Sequence, residues 1–447
     1  MSAAPNELLR KLVHIVFGFA ALLLRWLTPP QAAALAIAAY LHNRFLLPLY
    51  LGRRIARGPA GTDRGILYYP LAVLALIGVF RNDLAIAAAI WAILAFGDGM
   101  ATVTGSLVRG PILPWHRSKT WSGLAAFAVF GGIGAWLVGA FVGPPAPTLM
   151  PWMAIAFATA LACAIAESLE LGVNDNIIVP LAGGLAMFAL TRISVMPALE
   201  IDAVTAGWLA ANAALAVAGY LARSVTVSGA VGGFLLGAVM IVFAGWELYV
   251  VLLAFFIIGS ATTKAGYERK RAAGLAQERG GRRGFLHAWS NVGVAAVIAL
   301  LIAFEAGAIA VLWLAAIASL ATATADTTAS EVGQLAGRRA FLPLTLKRVP
   351  VGTEGAVSVE GTLAGAVAAV VVAFVGVGLA SRQVTLDVPF AAVIVSVAAV
   401  VGSLLESVAG SWNRTQPEPV PNGALNFFNT LAGALIAAAL WSWFQPL

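Results

Sequence analysis

The sequence is short of charge. Only 11% of its 447 residues are Asp, Glu, Lys or Arg, and the mean hydropathy is +0.91, whereas an ordinary soluble domain is about 25% charged. That excludes a water-soluble globule. There is one cysteine, Cys163, within an apolar segment, so no intrachain disulfide can form and the thiol reads as buried and inert. The four histidines, His14, His42, His116 and His287, have no ligand-like spacing. No CxxC, HExxH or Walker A sequence occurs, and no GxGxxG opens a helix after a strand, which argues against the common zinc, P-loop and dinucleotide sites. Alternating ten-residue segments, the mark of a membrane barrel, are also missing. The first apolar segment ends in Arg25-Trp26 without a small-residue cleavage site, so no cleavable signal is expected.

What the chain does have is length after length of apolar residues. Runs of about 17–25 residues recur throughout, the length that crosses a bilayer as a helix. The pattern predicts an all-α polytopic membrane protein with about 15 transmembrane helices, near 12–27, 32–50, 66–80, 84–100, 121–142, 151–169, 177–193, 203–221, 229–244, 247–262, 288–304, 306–324, 361–380, 388–405 and 424–444. With the N-terminus inside and the sides alternating, every Lys and Arg except Arg25, Arg81, Arg192 and Arg382 falls inside, which supports an N-in, C-out orientation. The formal charge of +7 is then a cytoplasmic-loop charge and calls for no nucleic acid. The long loops, 51–65, 101–120, 263–287, 325–360 and 406–423, are all inner ones. An enzyme's working parts have room only at that cytoplasmic face.

Two segments match each other. "DGMATVTG" (98–105) and "DTTASEVG" (326–333) share Asp, Ala at +3 and Gly at +7, and each closes a span running inward. "RGIL" (64–67) and "RGFL" (283–286) open spans upstream, Gly123 and Gly361 begin the spans downstream, and "AESLELG" (166–172) and "LESVAG" (405–410) follow at like distances. The shared order predicts two parallel seven-helix repeats, residues 1–198 and 223–447, joined by a connector helix within 199–222.

Helical spacing puts Asp98, Ala101 and Gly105 on one face, and likewise Asp326, Ala329 and Gly333. Small residues beside the acid let another backbone or a phosphate come close. A carboxylate at membrane depth is costly and by default functional; the plainer alternative is an interfacial Asp that ends a helix in water. Cations follow each Asp: Arg109, Arg117 and Lys119 around Ser118, then Arg338, Arg339, Lys347 and Arg348 ahead of Gly355. Part of that charge is ordinary positive-inside loop. Yet acids, cations, Ser and Gly on one side fit a metal–nucleotide site, because Mg²⁺ takes one or two carboxylates plus phosphate oxygens while Lys and Arg neutralise the rest of the polyphosphate. The expected catalytic residues are Asp98, Lys119, Asp326 and Lys347. Arg109, Arg117, Ser118, Gly105, Arg338, Arg348, Gly333 and Gly355 are expected at the nucleotide. Asp98, Glu167, Asp175 and Asn176 in one half, and Asp326, Glu331 and Glu406 in the other, are expected at Mg²⁺; Asn426 and Asn429 return to the same side. His14, one turn into the first span, is the best placed of the histidines.

On "ELLRKLVHIVFG" (7–18), "GILYYPLAV" (65–73), "FGDGMATVTG", "RSKTWSG" and "AESLELGVNDNIIVPLAGG" (166–184), the first half resembles the dolichol/phytol kinase family, related to phosphatidate cytidylyltransferases. On "TVSGAVGGFLLG" (226–237), "FFIIGSATTK" (255–264), "ATADTTASEVGQL" (323–335), "VPVGTEGAVSVEGTLAG" (349–365) and "VGSLLESVAGSW" (401–412), the second half is similar to the integral membrane family that includes plant phytyl-phosphate kinase. Glu406 stands where many members of that family have Asp, which keeps a carboxylate with a longer reach. The resemblances imply a fused two-step kinase of the inner membrane. A phytol- or geranylgeraniol-type alcohol would become the monophosphate in the first half and the diphosphate in the second, with CTP as donor and Mg²⁺ as cofactor. A homodimer is left open. A lipid-phosphate cytidylyltransferase and a transporter built on parallel repeats are the rival readings.

Overall fold

Helices occupy all fifteen apolar stretches in a computed structural model of the chain, which describes residues 7–50, 64–108, 110–113, 116, 118–143, 148, 150–169, 174–195, 197, 201–274, 282–416 and 419–444. Among them eleven are long and apolar enough to cross a membrane, and Gly65–Val79, Trp152–Ser168 and Asp175–Thr191 are shorter apolar helices. The chain is therefore a mostly helical polytopic membrane protein. It divides into two compact units, Met1–Ser194 and Val195–Leu447. Large apolar side chains such as Leu49, Leu107, Leu286 and Val367 are exposed on the helices, as a lipid-facing surface requires.

In the first unit the core is the helix Leu84–Ala92, run on through a π-turn, Ile93–Gly97, into Asp98–Val108. Nearly every residue from Ala85 to Gly99 is buried. The alanines give this helix a thin profile, and glycines of Trp121–Val142 pack on it and on Trp152–Ser168: a Cβ at Gly134 or Gly139 would meet Phe96 or Trp152. Glu7–Gly18, followed by a 3₁₀ segment Phe19–Arg25, lies against the π-turn and the helix after it. At Gly99 a Cβ would run into Ile15, so the small residue after Asp98 is what lets the first helix approach the acid.

The second unit is built around Ile309–Ala336, packed by Trp246–Lys264, Phe285–Ala303, Val359–Ala380, Val388–Asn413 and Asn422–Phe444. Residues 312–325 are buried all round, as expected of a helix hydrophobic on every face. At a rise of about 1.5 Å per residue, Asp326 lies about 25 Å from Ile309, near the far edge of a hydrocarbon core about 30 Å thick. The helix then continues into the loop region. One departure from an all-α expectation follows it: β1 (Ala340–Phe341), β2 (Arg348–Val349) and β3 (Val357–Ser358) form a small antiparallel sheet in the order β2-β1-β3.

The same construction closes each Asp motif. Thr120 caps Trp121–Val142 by accepting from the Gly123 N–H, and Ser358 caps Val359–Ala380 by accepting from the Gly361 N–H. A Cβ at Gly123 would stand 3.1 Å from the Ala101 carbonyl oxygen, and one at Gly361 would stand 2.5 Å from that of Ala329. Thr120 also bridges Ile112, as Ser358 pairs Ala340. The small face of each motif is thus filled by a neighbouring backbone. Gly105 and Gly333, expected at a phosphate, face Thr120 and Ser358 instead.

Candidate functional site

In the first unit, Asp98 is buried at the junction of the π-turn and the following helix. Lys11 Nζ donates to both of its carboxylate oxygens, at 2.7 and 2.6 Å. His14, one turn beyond Lys11, lies 3.7 Å from Asp98 Oδ2 and 3.0 Å from the Leu94 carbonyl oxygen. That carbonyl assigns the ring proton to Nε2 and the basic lone pair to Nδ1. Lys119 Nζ pairs with Glu167 Oε1 at 2.6 Å and also donates to the Glu167 carbonyl. Asp98, Glu167 and Asp175 each bring a carboxylate oxygen within 4.8 Å of the others. Three acids from three helices therefore converge, with two lysines at their edge, and their hard oxygen donors are of the kind that Mg²⁺ takes. Beside this cluster lies an apolar cavity of about 720 Å³, walled by residues such as Phe17, Leu24, Leu35, Val73 and Ile77, with His14, Tyr69 and Asn176 on its lining. Tyr69 Oη accepts from Trp91 Nε1 at 2.7 Å, and its ring packs edge-on against His14.

In the second unit, Asp326, Glu354 and Glu406 line one cavity of about 470 Å³, together with Ser403, Ser407, Asn422, Asn426 and His287. Glu406 comes from the C-terminal part of Val388–Asn413, and Glu354 from the loop between β2 and β3. That loop turns through Gly352 and Gly355, with φ of +83° and +69°. At Gly355 a side chain would also collide with the Ser411 backbone, so glycine is required there on two counts. Among the described residues no Lys or Arg lines this cavity. Glu331 turns partly away from it: Lys270 Nζ holds its carboxylate at 2.5 Å and donates to the Thr263 carbonyl at 2.9 Å. Nearby, Arg283 Nη2 donates to the Gly259 carbonyl and to Thr263 Oγ1 at 3.2 and 3.1 Å. Burial pushes the Arg283 guanidinium below the usual arginine range, and the Glu331 carboxylate opposes that shift.

The structure brings Asp98, Lys119, Glu167 and Asp175 together, and separately Asp326, Glu406 and Gly355. Asn176 is buried, with its Nδ2 donating to the Gly65 carbonyl at 2.9 Å, which commits that amide to helix packing. Ser118 is exposed, and its N–H and that of Lys119 both donate to His116 Nδ1; His116 holds this turn. Lys347 and Arg348 are exposed in the β-hairpin, Arg338 and Arg339 are exposed ahead of it, and none of the four lines the acidic cavity. Asn429 is buried beyond the cavity lining. Arg109 and Arg117 lie outside the described residues. Sequence reasoning missed Lys11, Glu354, His287 and Arg283. For Lys11 a signal existed, since it stands three residues before His14 on one helix face.

Residues 210–434 match the integral membrane protein family DUF92, and the chain belongs to that family. Over 210 residues it is 42% identical to the membrane protein sll0875 of Synechocystis sp., covering 46% of this chain and 79% of that one. Protein VTE6, chloroplastic, of Arabidopsis thaliana is 34% identical over 222 residues, 48% of this chain and 65% of its own length. The probable phytol kinase, chloroplastic, of Triticum aestivum is 30% identical over 132 residues, 28% of this chain and 44% of its own. This chain thus spans less than two thirds of either plant protein. No solved structure matches.

Proposed function

We propose that this member of the DUF92 family is a membrane phosphotransferase for isoprenoid acceptors, in which the first unit phosphorylates an alcohol and the second phosphorylates its monophosphate. The donor is a nucleoside triphosphate, CTP by the resemblance of the first half, and the reaction runs at the cytoplasmic face. One observation carries the reading: Asp326, Glu354 and Glu406 line a single cavity without a cation on its described lining. Three carboxylates brought into one cavity from two helices and a loop need positive charge from a ligand, and a metal–polyphosphate supplies it. The similarity to a probable phytol kinase of wheat supports the acceptor class.

Asp98, Glu167 and Asp175 suit Mg²⁺ in the first unit, where their carboxylate oxygens converge, and Asp326, Glu406 and Glu354 offer donors of the same kind around the cavity of the second. When bound there, the ion would neutralise phosphate oxygens and fix the donor's phosphates in place. In the first unit the apolar cavity takes the isoprenoid chain and brings the hydroxyl to its polar wall. An alcohol is a weak nucleophile and needs a base. His14 is that base: it borders the cavity, and Asp98 close by stabilises the imidazolium that forms. Lys11 and Lys119, each already on a carboxylate, can turn to the phosphate oxygens as charge builds on them. A monophosphate is an anion already, so the second unit needs charge neutralisation more than a base.

The test is product mass. The purified protein in nanodiscs, with Mg²⁺, each nucleoside triphosphate in turn and geranylgeraniol, should yield the monophosphate and then the diphosphate together with nucleoside diphosphate. Release of pyrophosphate with the nucleotide left on the lipid would make the protein a cytidylyltransferase, and no nucleotide turnover would end the kinase reading.

A further inference from the structure

Three recesses of the second unit share walls at Arg283 and His287. The first is the acidic cavity, which has His287 on its lining. The second is an apolar cleft of about 110 Å³ between Ala203–Leu221, Val227–Ala244, Trp246–Lys264 and Phe285–Ala303; it includes Leu215, Leu236, Leu252, Phe255 and Phe256, and both Arg283 and His287. The third is a recess of about 230 Å³ formed by Arg223, Lys264 and Arg283 with Ser224, Ser260 and Thr263, without an acid on its described lining. One arginine thus separates an apolar cleft from a basic recess, and one histidine joins the cleft to the carboxylates.

Both side chains carry an unused group. Arg283 is only 8% exposed, and while its Nη2 is bonded, its buried Nη1 has no hydrogen-bond partner among the described residues; the same holds for His287 Nε2. A buried polar atom left unpaired is costly and uncommon. Two of them lining one cleft call for a ligand with acceptor oxygens, and a guanidinium fork suits a phosphate. The apolar walls call for a hydrocarbon body on the same ligand. The backbone is arranged to put Arg283 there. Its N–H donates to the Ser224 carbonyl and its carbonyl accepts from the Thr226 N–H, and a side chain at Gly229 would overlap that carbonyl. One turn on, Gly233 also lines the cleft, and a Cβ there would meet nothing. In "SGAVGG" (228–233) the first of these glycines admits the arginine backbone and the last leaves the cleft open.

We propose that this junction binds a phosphomonoester carried on an apolar chain, the isoprenoid monophosphate, with its phosphate on Arg283 and His287 and the head-proximal part of the chain in the cleft. The proposal rests on the reading that the second unit phosphorylates a monophosphate. It places the phosphate at the rim of the acidic cavity, where a donor phosphate held by the carboxylates would arrive, and the basic recess attracts the anion from the aqueous side.

Binding to the full chain in phosphatidylcholine nanodiscs tests it, with geranylgeranyl monophosphate, geranylgeraniol, inorganic phosphate and phosphatidic acid as separate probes. Geranylgeranyl monophosphate should bind tightest. Arg283→Met should weaken it by about 10–100-fold, the worth of a hydrogen bond to a charged group, and Arg283→Lys should restore part of the loss. Because Arg283 also ties Gly259 and Thr263, Gly233→Leu is the second arm: its side chain enters open space, obstructs the cleft and should weaken the monophosphate while leaving inorganic phosphate unaffected. Unchanged monophosphate binding in Gly233→Leu, or in a folded Arg283→Met, would overturn the site. So would phosphatidic acid or inorganic phosphate binding as tightly as the isoprenoid. Binding that depends on both residues without any phosphoryl transfer would uphold the site and overturn the kinase reading; transfer with the same KM in both variants would do the reverse.

Discussion

Removing the Lys11 ammonium leaves the Asp98 carboxylate buried without its two short hydrogen bonds, beside Glu167 and Asp175. Lys11→Met should therefore destabilise the protein by about 3–5 kcal/mol, as breaking one side of a buried pair does, and Lys11→Met with Asp98→Asn should regain part of it; thermal unfolding of the purified variants measures both. In the second unit, Glu354→Gln should lower the apparent Mg²⁺ affinity of the monophosphate step by about 10–100-fold, whereas Lys347→Met should leave it unchanged, since Lys347 is exposed outside the cavity. A Mg²⁺ titration of each variant decides. These residues also show what the sequence discloses. Acids inside membrane helices are few, so Asp98, Glu167, Asp326 and Glu406 stand out by their cost alone. Lys11 does not, because a cation at the start of a first span reads as positive-inside charge. Glu354 sits in a loop where an acid is ordinary, and only the turn through Gly352 and Gly355 carries it to the cavity. Lys347 is the opposite case: it follows Asp326 closely in sequence, but its place in the β-hairpin leaves it exposed and off the cavity lining.

Elements set these side chains in place. The π-turn Ile93–Gly97 fixes the rotation of Asp98 relative to Lys11 and His14, and such turns gather at functional sites. Deleting Ala95 would turn the following helix by about 100°. The variant should keep its helical circular dichroism and lose the alcohol step; retained alcohol phosphorylation would show that the turn does not position Asp98. The motif glycines act by close approach. Gly361→Ala puts a Cβ 2.5 Å from the Ala329 carbonyl oxygen and should cost about 1–3 kcal/mol of overpacking, and Gly123→Ala, at 3.1 Å from Ala101, should cost less. Unfolding midpoints that reverse this order would contradict the packing argument. The helices themselves were legible because apolar runs of membrane length have few alternatives. The π-turn was not, since its residues are apolar in either geometry, nor was the small sheet, whose two-residue strands fall below any readable alternation.

For the molecule as a whole, two transfers fed by cytosolic nucleotide require both Asp motifs at one membrane face. Among the described residues eight apolar helices separate Ser106 from Arg339, an even number once the short charged helix Tyr267–Ala272 is left out, and the basic loops favour the inside. Cysteines introduced at these two exposed positions, in a Cys163→Ala background, should be labelled from the same, cytoplasmic side; labelling from opposite sides would deprive one unit of cytosolic nucleotide and favour the transporter reading. The central claim is that two units carry two successive transfers, and feeding each step separately tests it most directly. With Mg²⁺ and CTP, the Asp98→Asn protein should leave geranylgeraniol unreacted yet convert supplied geranylgeranyl monophosphate to the diphosphate, and the Asp326→Asn protein should make the monophosphate from the alcohol and stop there. Loss of both steps in either variant, with the protein still folded, would contradict it.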